Sequence, residues 1–379
     1  MLTGQARNLF LLLRCFLYFP LHGKANKKLG EPKKILVVQL AKLGDMVCTT
    51  PMFRVIKERY PSALVYVMGD AVNEELLAFN KDMDSYIVFK KDISEMIKVI
   101  HKERFDTAIL TGPSPELLAL LYLSGIPLIV SPKLTGGISP MNTISYRLLS
   151  RLVSTRTHKL GNYAPREYLK LLEVIDIFSD NTQKHLAYSK SGDEKVLDFY
   201  RKNGVNLEKD LVVGIFPSTG NKIKLWPSDR YAKVADWLWE MYNAKIILLG
   251  SDGDAEEVSG VLNSKKASTK VISAFNFFNI DELKAVISKM SIMISVDTGP
   301  IYIAEAFGVA TVDIVGPVDE KDQPPVGDVH RVIVAPRKRP EMGVFNARVY
   351  NKIEARRQSE EITVDMVTKE IGDLIKHIM

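Results

Sequence analysis

Two short segments hold residues whose types and spacing could do chemistry together. Lys42-Leu43-Gly44-Asp45 follows the apolar run Ile35-Leu36-Val37-Val38, and Asp297-Thr298-Gly299-Pro300 follows Ile292-Met293-Ile294. Each reads as a strand entering a small-residue turn and then a helix, which aims backbone N–H groups and a positive helix end at an anion. Asp45 adds a carboxylate at the first strand's mouth, where a general base could sit. Gly299 allows a ligand close to the backbone. Asp297 can cap the following helix, and Pro300 falls in its first turn, where a missing N–H costs little. Two such mouths in one chain predict two Rossmann-like halves facing each other across a cleft.

Other polar residues fall at further strand ends. Ser218-Thr219-Gly220 is a hydroxyl-rich turn, with Lys222 and Lys224 just before Trp226-Pro227. Hydroxyls, helix N–H groups and a lysine make a metal-free diphosphate cradle. Asp252-Gly253-Asp254 could hold a divalent metal. Its place after the second strand of a Rossmann-like half favours ribose or base contact instead, so no metal site is assigned. Asp82 and Asp84 lie in a loop and read as solvated surface. Residues 132–165 break the strand–helix pattern. In and just after that stretch lie Lys133, Arg147, Arg151, Arg156, His158, Lys159 and Arg166, which make either a solvated loop region or a basic wall for an anionic acceptor. In the second reading Lys133, Arg147 and Arg166, with Gly44 in its turn, meet the acceptor.

The elements that must position these residues alternate. Strands are expected over 35–39, 63–68, 86–89, 106–111 and 126–131, with helices over 45–59, 92–103, 114–124 and 164–178. After the polar stretch 179–183 a second series starts. Its strands are 211–216, 245–249, 270–273, 291–296 and 310–315, and its helices 228–242, 254–263, 281–289 and 300–307. The order is α/β and doubly wound, and ligands of such sheets lie outside the carboxyl ends of the strands. Three regions are expected: a basic N-terminal segment 1–34 and two Rossmann-like domains, 35–185 and 186–379.

At 379 residues the chain is too long for one ordinary core. Its net charge of +6 is concentrated: residues 1–34 hold seven bases, including Lys28, against the single acid Glu31, and the remainder balances at 44 and 44. The body gives no argument for nucleic acid. The segment also contains the run Leu9 to Leu21, too short and too interrupted by Arg14 and Pro20 to span a bilayer. A helix lying on an anionic membrane surface suits it, with packing on the protein's own body or a signal sequence as alternatives. On the first view the segment is removable without unfolding the rest. Cys15 and Cys48 form no CxxC pair, so neither a disulfide framework nor a zinc site is expected, and a reducing cytoplasm fits.

Val37 to Asp45, Thr50-Pro51, Tyr60-Pro61, Phe105-Asp106, Pro217 to Pro227, Leu248-Leu249-Gly250, Asp297 to Ala304, Gly308 and Val315 to Asp319 occur in an order that resembles the heptosyltransferases, glycosyltransferase family 9. The resemblance covers nearly all of the chain after residue 34. It implies a GT-B fold and inverting, metal-independent transfer without a cofactor, most often of heptose from ADP-heptose to a lipopolysaccharide core or related glycolipid. It also implies 35–185 as the acceptor domain and 186–379 as the nucleotide-sugar domain, with Asp45 as the base and Lys224, Thr219, Thr298 and Gly299 at the donor diphosphate. Where the family usually carries a histidine this chain has Tyr302, which can donate a hydrogen bond but cannot be a cation near neutral pH. The partners so implied are a nucleotide sugar, a lipid-linked glycan and the inner face of the cytoplasmic membrane. Rival readings are a transferase for another nucleotide sugar, a nucleotide-sugar epimerase and a non-catalytic binding homologue.

Overall fold

Runs such as Ile35-Leu36-Val37-Val38 and Ile292-Met293-Ile294 show no alternation of polarity, the mark of strands covered on both faces. The computed structural model, which describes residues 4–27, 30–345 and 350–379, builds both into wholly parallel sheets. Lys28 lies outside the described residues. The chain divides into two compact units, 1–74 with 81–183 and 344–349, and 75–80 with 184–343 and 350–379.

The first series of elements runs α1 (Gly4–His22), β1 (Lys34–Val38), α2 (Leu43–Arg59), β2 (Leu64–Gly69), α3 (Ala71–Leu77), β3 (Ser85–Val88), α4 (Ile93–Glu103), β4 (Thr107–Leu110), α5 (Pro115–Leu123), β5 (Leu128–Thr135), α6 (Ile144–Leu149), β6 (Ser154–Lys159) and α7 (Ala164–Lys170). Its sheet order is β3-β2-β1-β4-β5-β6. Two expectations change here. Residues 132–165 are not a break in the pattern, because β5 runs on to Thr135 and pairs along its length with β6. The helix expected over 164–178 is α-helical only to Lys170. It tightens to a 3-10 turn over Leu171–Ile175 and ends at Asp176, whose φ of 58° is left-handed.

The N-terminal helix is built into this unit. Leu11, Leu12 and Cys15 are buried in one core with Leu36, Val38, Leu118 and Ile129. Tyr122 donates its hydroxyl to the Gly23 carbonyl at 2.6 Å, and Ala25 and Asn26 bridge to Val153 and Leu128. Removing residues 1–30 would therefore strip side chains from the core, and the segment is not separable as its composition suggested. Burial pushes the Cys15 thiol up to about 12, so it packs as a small apolar group.

The second series runs α8 (Lys190–Lys202), β7 (Val212–Phe216), α9 (Ser228–Tyr242), β8 (Lys245–Gly250), α10 (Ala255–Ser264), β9 (Val271–Phe275), α11 (Ile280–Ile287), β10 (Ile292–Val296), α12 (Gly299–Ala306), β11 (Ala310–Ile314), β12 (His330–Ile333), α13 (Lys352–Glu360) and α14 (Val364–Ile378). Its order, β12-β11-β10-β7-β8-β9, repeats that of the first sheet. In each sheet the chain starts in the middle, winds outward and returns to the other side. The strand order therefore reverses between β1 and β4 in one unit and between β7 and β10 in the other. Those reversals open crevices at the carboxyl ends of the strands.

Candidate functional site

The residues singled out for chemistry lie largely beside these two crevices. In the first unit, α2 starts just after β1, and its N-cap Lys42 makes no side-chain capping bond. The turn before it is braced from three sides. Ala41 N–H donates to Gln39 Oε1 at 3.2 Å, Gln39 Nε2 donates to Thr49 Oγ1 at 3.2 Å, and Asn73 Nδ2 donates to the Ala41 carbonyl at 3.0 Å. Thr49 in turn donates its hydroxyl to the Asp45 carbonyl at 2.8 Å. Asp45 lies in the first turn of α2, half-buried, on a backbone that its neighbours hold in place. Gly44 beside it is buried. A carboxylate so placed can accept a proton from a ligand entering the crevice.

In the second unit the crevice holds a charged cluster. Lys224 Nζ lies 3.0 Å from Asp297 Oδ2 and donates also to the Asp297 backbone carbonyl. The Tyr302 hydroxyl donates to the other carboxylate oxygen of Asp297. Lys224 and Asp297 side chains are only 16% and 15% exposed, so solvent screens the pair little. The sequence placed Asp297 as the helix cap. Thr298 holds that position instead, without a side-chain capping bond, because both Asp297 oxygens are drawn to Lys224 and Tyr302. Gly299 and Pro300 begin α12 as expected.

Ser218 and Thr219 are buried in the turn after β7, and Asn221 caps the short 3-10 turn Lys222–Lys224 through its side chain. Lys222 is drawn away from that turn to Glu257, 2.6 Å distant, with Ser218 Oγ at 3.4 Å. Asp254 accepts from Ser251 N–H at 2.9 Å and Ser251 Oγ at 2.7 Å, which closes a capping box on the 3-10 turn Asp252–Asp254 that leads into α10. Burial opposes ionisation of Asp254, but hydrogen bonds from Ser218 and Ser251 prevail and hold its carboxyl below the usual range. Asp252 is exposed. One member of the acidic pair thus serves its own turn.

The expected acceptor contacts are dispersed. Lys133 lies on β5, Arg147 on α6 and Arg166 on α7, all exposed. Arg156 pairs with Glu173 at 3.3 Å. His158, read as part of the basic wall, is buried on β6 beside Phe345 and Tyr168, and burial lowers it to about 4, so it is neutral.

Asp313 was missed from sequence. It lies on β11 among apolar neighbours, 1% exposed, with Oδ1 lacking a hydrogen-bond partner. Burial, then the charge of Asp297, pushes its carboxyl well above the usual range against the pull of Lys224. An acid inside the run Thr311-Val312-Asp313-Ile314-Val315 is the one signal the sequence offers. The cluster thus comprises the Lys224–Asp297 pair with Asp313 buried beside it, its carboxyl pushed toward the protonated form. An anion entering at the N-terminus of α12 can compete with Asp297 for Lys224, while Tyr302 retains the displaced carboxylate.

Comparison with known proteins finds likenesses in sequence and in fold. The model of glycosyltransferase family 9 (heptosyltransferase) matches residues 144–347. Lipopolysaccharide heptosyltransferase 3 of Escherichia coli K12 is 21% identical over 303 residues, 73% of this chain and 80% of that one. A solved family 9 glycosyltransferase from Veillonella parvula superposes with a TM-score of 0.75 at 21% identity, covering 91% of this chain and 98% of its own. The solved ADP-heptose lipopolysaccharide heptosyltransferase II of E. coli gives 0.71 at 19% identity, covering 91% and 99%.

Proposed function

From the premise that this chain belongs to glycosyltransferase family 9 and has the GT-B fold, we propose that it transfers heptose from ADP-heptose to a lipopolysaccharide core or related glycolipid, with inversion and without a metal. The observation that carries this reading is the Lys224–Asp297–Tyr302 cluster at the uncapped start of α12, beside the Ser218-Thr219 turn. It supplies a cation, hydroxyls and helix N–H groups for a departing diphosphate. A solved structure that superposes at a TM-score of 0.71 is an ADP-heptose heptosyltransferase, which motivates the choice of donor.

In this reading Asp45 takes the proton of an acceptor hydroxyl, and the freed oxygen attacks the anomeric carbon. The bond from that carbon to the diphosphate breaks, and its electron pair leaves with ADP. Attack opposite to the leaving group inverts the anomeric centre. Lys224 moves from Asp297 to the diphosphate, and Thr219, Thr298 and Gly299 complete its cradle. Asp252 and Asp254 lie toward the ribose. Gly44, Lys133, Arg147 and Arg166 meet the acceptor and its anionic groups. The acceptor is lipid-linked, so the enzyme works on the cytoplasmic face of a membrane.

The test is nucleotide release from a panel of nucleotide sugars, with and without a crude lipopolysaccharide acceptor and EDTA. Acceptor-dependent ADP release from ADP-heptose that survives EDTA supports the reading. Release from another donor replaces the sugar and puts Tyr302 at the centre of specificity. Binding without release from any donor overturns transfer.

A further inference from the structure

The function above uses one face of the N-terminal region not at all. Helix α1 is apolar on both sides. Its inner face packs in the core, while Leu9, Phe10, Leu13, Phe16, Leu17 and Leu21 are between 46% and 84% exposed. At 3.6 residues per turn these six fall in one arc of about 140° on the side away from Leu11 and Cys15. Taking roughly 200 Å² per large apolar side chain, the arc exposes about 700 Å², above the 300–600 Å² of the largest patch on an ordinary monomer.

We propose that this arc is a membrane-docking surface that inserts among the lipids of an anionic bilayer, carried on a helix that is a rigid part of the first unit. Charge selects the occupant. Arg14 borders the arc, and although Glu116 and Glu103 take up Arg7 and Lys34, residues 1–34 hold seven bases against one acid, an excess complementary to anionic headgroups. The choice of lipid over another protein also rests on the glycolipid acceptor proposed above. Among the described residues no helix is long and apolar enough to cross a membrane. The arc lies in the interface plane, its apolar side chains reaching about 5–10 Å into the headgroup–acyl boundary.

The fastening of α1 gives the docking its mechanical meaning. Arg7 pairs with Glu116 on α5 at 2.6 Å, the rings of Tyr18 and His22 pack against Tyr122 on the same helix, and Ala25 N–H donates to the Leu152 carbonyl at 2.8 Å. A helix held along its length in this way cannot swing as a tether. Once its outer arc is inserted, the β1–β4 crevice of the same unit is held at one height and tilt above the lipid surface.

The experiment is flotation of the full-length protein with vesicles of phosphatidylcholine and phosphatidylglycerol (3:1), in 0.1 M and 0.5 M NaCl. It compares wild type with Leu13→Glu/Leu17→Glu and, as a control on the second unit, the exposed Leu197→Glu. Wild type and the control should float and keep most of their binding in high salt. The double variant should partition on the order of 100-fold less, since each glutamate removes a buried leucine and adds a charge, with an unchanged melting temperature. No flotation of wild type, equal flotation of the double variant, or complete loss in 0.5 M NaCl would each overturn insertion. So would a wild-type dimer in sedimentation velocity that the double variant converts to monomer, since a second copy would then cover the arc. Turnover on a lipid-free core oligosaccharide is measured alongside and should be equal in all three proteins. Its absence would remove the transferase reading and leave the flotation result standing.

Discussion

Replacing Lys224 by alanine tests the anion site by its own charge balance. In the ligand-free protein the ammonium is shared between the Asp297 carboxylate, at 3.0 Å, and the Asp297 carbonyl. A bound diphosphate would take this donor, a charge-assisted hydrogen bond worth about 1.5–3 kcal/mol. The alanine variant loses that bond and leaves the Asp297 charge, still held by Tyr302, facing the diphosphate. At roughly 6 Å that repulsion adds about 1–3 kcal/mol. Wild type must first release Lys224 from Asp297, which offsets part of the sum, so the net loss is about 2–4 kcal/mol, or roughly 30- to 1,000-fold in the ADP dissociation constant. Adding Asp297→Asn removes the repulsion and should recover about tenfold. Isothermal titration of ADP into the two variants measures both effects. An affinity for Lys224→Ala within threefold of wild type, or a double variant weaker than the single, would refute the reasoning.

Asp45→Ala should abolish transfer while ADP binds nearly as before, and turnover near wild type would end its role as base. Tyr302→Phe removes one of the two side-chain donors to Asp297 and should weaken ADP binding by about tenfold, whereas Tyr302→His should restore affinity at low pH and lose it above the histidine pKa. Equal affinities across pH 5.5–8.5 for all three proteins would show that Tyr302 does not tune the cradle. His158, at about 4 when folded against 6.5 as its ordinary value, must take up a proton on acid unfolding. Its stabilisation is present above pH 6.5 and is lost as pH falls toward 4, by up to about 3 kcal/mol. Chemical denaturation of His158→Gln from pH 7 to 4 should show a correspondingly flatter profile, and parallel profiles would contradict the shift.

Much of the architecture is legible because buried parallel strands write themselves as short apolar runs. Ile35–Val38, Val213–Phe216 and Ile292–Val296 sit in the middle of their sheets and are found within a residue or two of their expected places. The two strands lost are both at sheet edges, although the other edges, β3 and β9, are found. Ser154–Lys159 reads as a polar loop because one side of an edge strand faces solvent, and His330–Ile333 is four residues long. Several residues that carry the family resemblance turn out to hold the frame. Asp106 accepts from the Lys33 and Lys34 N–H groups at the start of β1, Tyr60 donates to the Ile175 carbonyl, and Trp226 donates to the Ile362 carbonyl.

The cluster in the second unit shows where sequence reasoning stops. Spacing alone put Lys224 and Asp297 at strand ends, but their contact depends on β7 and β10 being neighbours, which is a property of the sheet order. Once they pair, Asp297 cannot serve as the cap its local sequence suggests. Asp313 is a further step removed, since the upward push on its carboxyl follows from burial and from Asp297, which lies 16 residues earlier in the chain. In α1 the composition pointed to a surface helix, and only the packing of Leu11, Leu12 and Cys15 shows that half of it is core.

The central claim is transfer by inversion without a metal. The most direct measurement is the NMR spectrum of acceptor recovered after incubation with ADP-heptose in EDTA. The account predicts one new anomeric signal, of configuration opposite to that of the donor. No new signal, a signal that requires added divalent metal, or one of retained configuration would contradict it.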